Sequence, residues 1–308
     1  MNPFEMIGGY LASDIRMAAP ILLAGLGLLL INWSGLLNIG AEGTMLIATL
    51  VAVAGSYYTG SVWLGLLLAM ASGALVGLLF AFLTVTLKAN QTVTGAAINI
   101  LGAGLSATLN RVIFGVNTTI AKIDTFQNLA IPGLSNIPVI GNAFFNQMPI
   151  VYIAFLMVPA ISYYLFRTQS GLNLRAVGEN PRVADTLGIN VGRTQYLAAI
   201  AGSAIIAMGG AFLSTGLLNF FSEDMVSGRG YIALAAVIFG KYKPTGIMVA
   251  ALVFMAGNVV SNILQVAGAA IPYTFLTMIP YVLTIIALAM FASRAVAPAS
   301  LGKPYRRG

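Results

Sequence analysis

The sequence contains no cysteine and no histidine, and only 7% of its 308 residues are charged. Without cysteine there is no thiolate nucleophile, no disulfide and no thiolate metal site. Without histidine there is no Ser-His-Asp triad and no imidazole proton relay. A soluble globular chain carries about 25% charged residues, because its surface faces water. Here the hydrophobic share is 59% and the mean hydropathy is +0.92. These shortages exclude a soluble enzyme, a disordered chain and a disulfide-stapled secreted domain. Most of the surface must face lipid or other apolar chains. No Gly-x-x-x-x-Gly-Lys-Ser/Thr loop occurs, so the chain does not itself cradle the phosphates of ATP. No acid–base or metal-ligating cluster is visible, and neither catalytic residues nor metal ligands are expected.

What is present is a set of long charge-free runs: 17–41, 43–87, 89–110, 194–222 and 244–293. A helix needs about 20 apolar residues to cross ~30 Å of hydrocarbon. The runs are continuous rather than alternating, which argues for helices over a closed barrel. The fold class is therefore all-α, a polytopic transmembrane helical bundle. Nine membrane segments are expected, at 17–36, 41–57, 62–87, 92–114, 148–167, 195–218, 229–241, 244–267 and 272–293, the seventh being short enough for a half-helix. One transmembrane domain fills 1–308, with an interfacial N-terminal segment at 1–16, an external loop at 111–147, a cytoplasmic loop at 168–193 and a basic tail at 294–308.

The net charge of +7 comes from 15 basic and 8 acidic residues. No basic groove with interleaved aromatics is visible, so nucleic acid is not an expected partner. Basic residues mark the cytoplasmic side of membrane proteins. With the N-terminus outside, eleven of the 15 fall inside, namely Lys88, Arg167, Arg175, Arg182, Arg193, Lys241, Lys243, Arg294, Lys303, Arg306 and Arg307. That places the C-terminus in the cytoplasm.

The loop Gly171-Leu-Asn-Leu-Arg-Ala-Val-Gly-Glu-Asn-Pro-Arg-Val-Ala-Asp-Thr-Leu-Gly-Ile189 holds a well-signed short helix. Asn180 suits an N-cap, Pro181 the first helical position and Gly188 the left-handed residue beyond the end. The helix is expected over Pro181–Leu187, with Arg182 and Asp185 on one face and Val183, Ala184 and Leu187 as an apolar strip. Two further stretches accompany it. They are Ser34-Gly-Leu-Leu-Asn-Ile-Gly-Ala-Glu-Gly-Thr-Met45 and Gly228-Arg-Gly-Tyr-Ile-Ala-Leu-Ala-Ala-Val-Ile-Phe-Gly-Lys-Tyr-Lys-Pro-Thr-Gly246.

Together, in this order, the three stretches resemble the ABC importer permeases of the branched-chain amino acid, ribose and nucleoside superfamily, closest to the nucleoside branch. The resemblance covers about 17–293, although ribose-type relatives have an additional N-terminal span that this chain lacks. It implies a type II-like permease architecture with broken helices in a prokaryotic plasma (inner) membrane. It implies that the short helix couples to a cytoplasmic ABC ATPase, through Gly178, Glu179, Asn180, Pro181, Arg182, Asp185 and Gly188. The expected partners are that ATPase, a second related permease or a second copy, an extracytoplasmic substrate-binding lipoprotein and the lipid bilayer. This chain binds no cofactor itself; ATP and Mg belong to the ATPase.

A polar solute needs hydrogen-bond partners at membrane depth. The candidates for its path are Asn38, Glu42, Asn90, Asn99, Asn258, Asn262 and Gln265. Neutral amides suit a nucleoside or a simple sugar better than an ion. Glu42 leaves a third possibility open, an ion-coupled secondary transporter, and its own role is open between a helix-start carboxylate and a substrate contact. The 34 glycines, with Gly73 and Gly77 as a Gly-x-x-x-Gly pair, read as helix-packing residues.

Overall fold

In hydrocarbon no water reaches a backbone N–H or C=O, so a crossing segment must satisfy both within itself. The charge-free runs do so as helices. The structure, a computed structural model, describes residues 3–115, 122–130, 132, 140–266, 275, 278, 282, 285, 286 and 296–305. Its helices are α1 (Pro3–Trp33), α2 (Ala41–Thr59), α3 (Val62–Ala81), α4 (Gln91–Phe114), α5 (Ile140–Phe144), α6 (Pro149–Arg167), α7 (Gln169–Glu179), α8 (Pro181–Thr186), α9 (Val191–Phe212), α10 (Arg229–Phe239) and α11 (Pro244–Val266). Helices α3 and α9 each end in a wider π-helical turn, Phe82–Thr86 and Leu213–Leu217.

Helix α1 is the axis of the bundle and packs on α5, α6, α7, α9, α10 and α11. From Ala18 to Ile31 its apolar side chains are almost wholly enclosed. A helix that is hydrophobic all round belongs in an interior, and over 18–31 α1 has no face left for lipid. The outer helices differ. Leu67, Leu75, Val93, Ile100 and Leu156 are exposed on α3, α4 and α6, where hydrocarbon is their natural neighbour. The helix α1 runs unbroken from Pro3, so residues 3–16 continue the first span as one rod.

Burial cannot drive helices together when lipid is as apolar as leucine, so close backbone approach must do it. The most extensive helix contact joins α3 to α9. At Gly73 a side chain would strike Ala207 and the Ser203 carbonyl, and at Gly77 the Ala199 carbonyl and Ser203. The Gly-x-x-x-Gly pair thus lets two backbones touch.

Six helices among the described residues are long and apolar enough to cross a membrane, against the nine segments expected. The three shortfalls have separate reasons. Helix α2 exists but carries Glu42, Thr44, Thr49, Ser56 and two tyrosines, and it is not one of the six. Helix α10 has 11 residues, about 16 Å of rise, half of what a crossing needs. The expected span 272–293 lies outside the described residues apart from 275, 278, 282, 285 and 286.

The two ends of the bundle differ in character. At one end lie the segment 122–130, α5 and a minimal ribbon of Leu129–Ala130 paired antiparallel with Asn146–Gln147. The amide of Ile123 donates to the Asn219 carbonyl at 2.9 Å, which seats this segment on the end of α9. At the other end gather α7, α8, the turn before α11 and residues 296–305. The loop 168–193 therefore holds two helices, α7 and α8, where one was expected. Thr168 starts the unexpected one, α7, by accepting from the Gly171 amide at 3.1 Å.

Filling the α3–α9 seam tests this packing. Gly77→Leu should lower stability by about 1–3 kcal/mol through overpacking, read as a lower melting temperature in detergent. Gly104→Leu, on an open face of α4 with nothing within 4 Å, should leave the melting temperature unchanged.

Candidate functional site

Between α1 and α2 the chain leaves helical geometry over 34–40. Side chains replace the missing ladder there. Ser34 donates its hydroxyl to the Ile31 carbonyl at 2.6 Å. The Gln91 side-chain oxygen accepts from the Leu37 amide at 2.6 Å, and the Asn38 oxygen accepts from the Gly40 amide at 2.7 Å. Asn38 is fully buried and occupied in that turn.

Glu42 follows, in the first turn of α2. One carboxylate oxygen accepts from the Gly228 amide and the other from the Gly230 amide, each at 2.7 Å. Gly228 caps α10 and Gly230 is in its first turn, so the carboxylate sits at the N-termini of two helices at once. Each terminus carries roughly half a positive charge and orphan N–H donors, and charge-assisted bonds to backbone N–H are the strong ones. The approach is too close for any side chain at 230, which would run into the Glu42 backbone. Arg229 points elsewhere, donating to the Met225 and Val226 carbonyls at 3.1 Å each and bracing the turn that leads into α10.

Asn99 binds the third element. Its oxygen accepts from the Gly43 amide at 2.8 Å. Its nitrogen donates to the Ile39 carbonyl at 2.9 Å and to the Tyr231 hydroxyl at 2.8 Å. Asn99 lies eight residues into α4, about 12 Å from its start, well inside the hydrocarbon. Glu42, Asn99 and Tyr231 thus join α2, α4 and α10 at depth. Glu42 is 7% exposed while Tyr231 is 51% exposed, so the phenol ring is the open part of the cluster.

The remaining path candidates lie apart. Asn90 caps the start of α4, accepting from the amides of Thr92 and Val93 at 3.0 and 3.1 Å. Asn258 donates to the Met255 sulfur at 3.6 Å. It lies on α11, which packs on α1, α6 and α10, whereas α4 packs on α2 and α3. Asn262 and Gln265 belong to α11, and their side chains lie outside the described residues. Tyr231, Gly228 and Gly230 were not among the expected site residues. The signal was available: two glycines and a tyrosine opening an 11-residue apolar helix, in a chain with one acidic residue between long apolar runs.

At the α7–α8 end, Asn180 accepts from the Val183 amide at 3.3 Å and starts α8 with Pro181 in the first turn. The helix ends at Thr186, one residue short of the expectation; Leu187 caps it, and Gly188 follows at φ +82°. The expected apolar strip divides. Ala184 turns inward at 1% exposure, while Val183 and Leu187 stand out at 53% and 74% beside exposed Arg182. Asp185 accepts from the Tyr305 hydroxyl at 3.0 Å, and Glu179 from the Ala299 amide at 3.4 Å. Gly178 passes so close to the Trp33 carbonyl that no side chain fits.

The sequence pattern of the family described as branched-chain amino acid transport system / permease component matches residues 10–290. This chain belongs to that family. It is a multi-pass membrane permease, a transport component. It is 38% identical over 318 aligned residues to the guanosine ABC transporter permease protein NupQ of Bacillus subtilis, covering 100% of this chain and 99% of the relative. It is 34% identical to the nucleoside ABC transporter permease protein NupC of Lactococcus lactis, covering 99% of each. Identity to the putative glucose ABC transporter permease protein TsgC13 of Haloferax volcanii is 36%, covering 80% of this chain and 74% of the relative. No solved structure matches the chain.

In this permease the Glu42 tie is open to a direct test. Glu42→Gln keeps the size but turns one acceptor into a donor facing a backbone N–H. The cost should be about 1–3 kcal/mol, that of an unsatisfied buried group, read as a lower melting temperature in detergent. Glu42→Asp should also lose stability, because the shorter side chain does not span both amides.

Proposed function

We propose that this chain is a permease subunit of an ATP-driven ABC importer and that its solute is a nucleoside. The observation that carries the reading is end-to-end similarity to two permeases named for nucleoside transport. The structure supports it with α8, a short helix outside the crossing segments that presents Val183, Leu187 and Arg182 outward. Two exposed apolar residues beside a cation suit a groove on a cytoplasmic ATPase. That ATPase supplies ATP, Mg and the hydrolysis. A second permease, related or identical, completes the pore, and an extracytoplasmic lipoprotein delivers the solute.

The sidedness follows from charge. Lys88, Arg167, Arg175, Arg182, Arg193, Lys241, Lys243 and Lys303 fall in or beside the α7–α8 end, and the positive-inside bias makes that end cytoplasmic. The N-terminus is then outside and the C-terminus inside. ATP-driven closure of the ATPase dimer presses on α8. The push passes through α7, where Gly178 abuts Trp33, into residues 34–40 and so to Glu42. A junction held by four side chain–backbone bonds among α2, α4, α10 and residue 39 rearranges by exchanging discrete partners, which is what alternating access requires.

The open face of that junction offers the Tyr231 phenol ring, an uncharged surface on which a neutral base can lie, with the Asn99 amide behind it already bonded to Gly43, Ile39 and Tyr231. Glu42 is a poor proton carrier here, since both oxygens already accept backbone N–H groups. Similarity to a putative glucose permease favours a simple sugar as the second reading.

Uptake into vesicles bearing the assembled transporter decides among these. Labelled guanosine or uridine should accumulate only with ATP, and unlabelled nucleosides should compete while ribose and glucose do not. Accumulation without ATP, or competition by the sugars alone, would sink the nucleoside importer. Val183→Asp with Leu187→Asp, both on an exposed surface, should leave the fold intact and abolish co-purification with the ATPase.

A further inference from the structure

Residues 296–305 were expected only as part of the basic tail at 294–308. In the structure they make specific bonds to three other elements. The Ser300 amide donates to the Gly178 carbonyl at 3.0 Å, and the Ser300 hydroxyl bonds the same carbonyl. The Ala299 amide reaches the Glu179 carboxylate at 3.4 Å. The Gly302 amide donates to the Gly35 carbonyl at 3.1 Å, in the non-helical segment that leads to Glu42. The Tyr305 hydroxyl donates to Asp185 on α8 at 3.0 Å.

The packing agrees with the bonding. Val177 of α7, Ala184 of α8 and Val191 of α9 form a small core separate from the main one, and Tyr305 packs against it. The segment is also braced within itself. The Lys303 amide donates to the Ser300 carbonyl, and the Lys303 ammonium to the Ala299 carbonyl, each at 3.0 Å. A segment with its own turn, a ring in a core and bonds at both ends is a strut.

We propose that residues 299–305 form a clasp that ties α8 to residues 34–40 and carries displacement of α8 to the Glu42 junction. The tail is then a working part of ATP coupling, acting alongside the direct contact of Gly178 with Trp33. This role rests on the ATP-driven reading, whereas the mechanical tie between the tail and residues 34–40 does not.

The test uses the complete transporter in lipid nanodiscs and proteoliposomes, with this subunit as the full chain, lacking 299–308, or carrying Ser300→Ala with Tyr305→Phe. Two quantities are read: nucleoside moved per ATP hydrolysed, and hydrogen exchange of the amides at 33–38. The deletion should leave ATP hydrolysis running, cut solute moved per ATP by about tenfold, a typical coupling factor, and speed exchange at 33–38. The double substitution keeps the chain length and should shift both quantities in the same direction by less; it decides the matter if the deleted chain does not assemble. An unchanged solute-to-ATP ratio overturns the clasp. So does a lowered ratio with unchanged exchange at 33–38, which would place the tail's effect on the ATPase itself. Full-chain uptake indifferent to ATP would defeat the importer reading instead, and the exchange comparison would still decide whether the tail holds residues 34–40.

Discussion

A helix that begins inside hydrocarbon presents several backbone N–H groups that no water can reach. Helix α10 begins with such donors, and the Glu42 carboxylate accepts two of them, from Gly228 and Gly230, while the Gly43 amide in the first turn of α2 is met by Asn99. Without a shared acceptor, α10 would expose donors and a partial positive charge at depth, and its 11 residues are too few to hold it by length alone. The Asn99–Tyr231 bond ties the short helix to α4, and the start of that helix depends on the one anion. Its own burial is tolerable for the same reason: each oxygen has a backbone donor at 2.7 Å, and two helix ends offset its charge.

The packing around the junction follows from the solvent. Lipid supplies no drive to hide leucines, so large apolar residues remain on the outer faces of α3, α4 and α6. Close contact comes from small residues, as at Gly73 and Gly77 against α9 and at Gly230 against Glu42. The most deeply enclosed rod, α1, runs through the middle. It links the end that holds α5 to the α7–α8 end, since it touches both α5 and α7.

Much of this was legible from residues alone. The charge-free runs and the Asn180–Pro181–Gly188 signals marked the long helices and α8, because local capping chemistry is written in neighbouring positions. The span count was less legible. A periodicity argument measures how apolar a stretch is and does not fix where a helix ends, which is what makes α10 an 11-residue element rather than a full crossing, while the polar residues of α2 lower its hydropathy below that of the six long spans. The site was half legible. Glu42 and Asn99 stood out as polar groups among apolar runs, but their partners are backbone amides of Gly228, Gly230 and Gly43, which no side-chain inventory reveals. Amides such as Asn38 and Asn90 looked equally suited to a solute, yet their oxygens close a turn and cap a helix.

On the proposed importer reading, the surface that would receive the ATPase is separate from the Glu42 junction. Val183 and Leu187 on α8 face outward, while the Glu42 junction lies within the bundle. Between them the chain uses short bonded steps: Gly178 against Trp33, Gly302 on Gly35, Leu37 on Gln91, Gly40 on Asn38. A soft loop would absorb a push from α8. A run in which Leu37 and Gly40 bond to side chains and Gly35 receives a bond from Gly302 has little slack and moves as a unit. Leaving 34–40 non-helical then has a mechanical consequence. It can shift by exchanging a few specific bonds, whereas a continuous helix through the same residues would have to translate against the whole of α1.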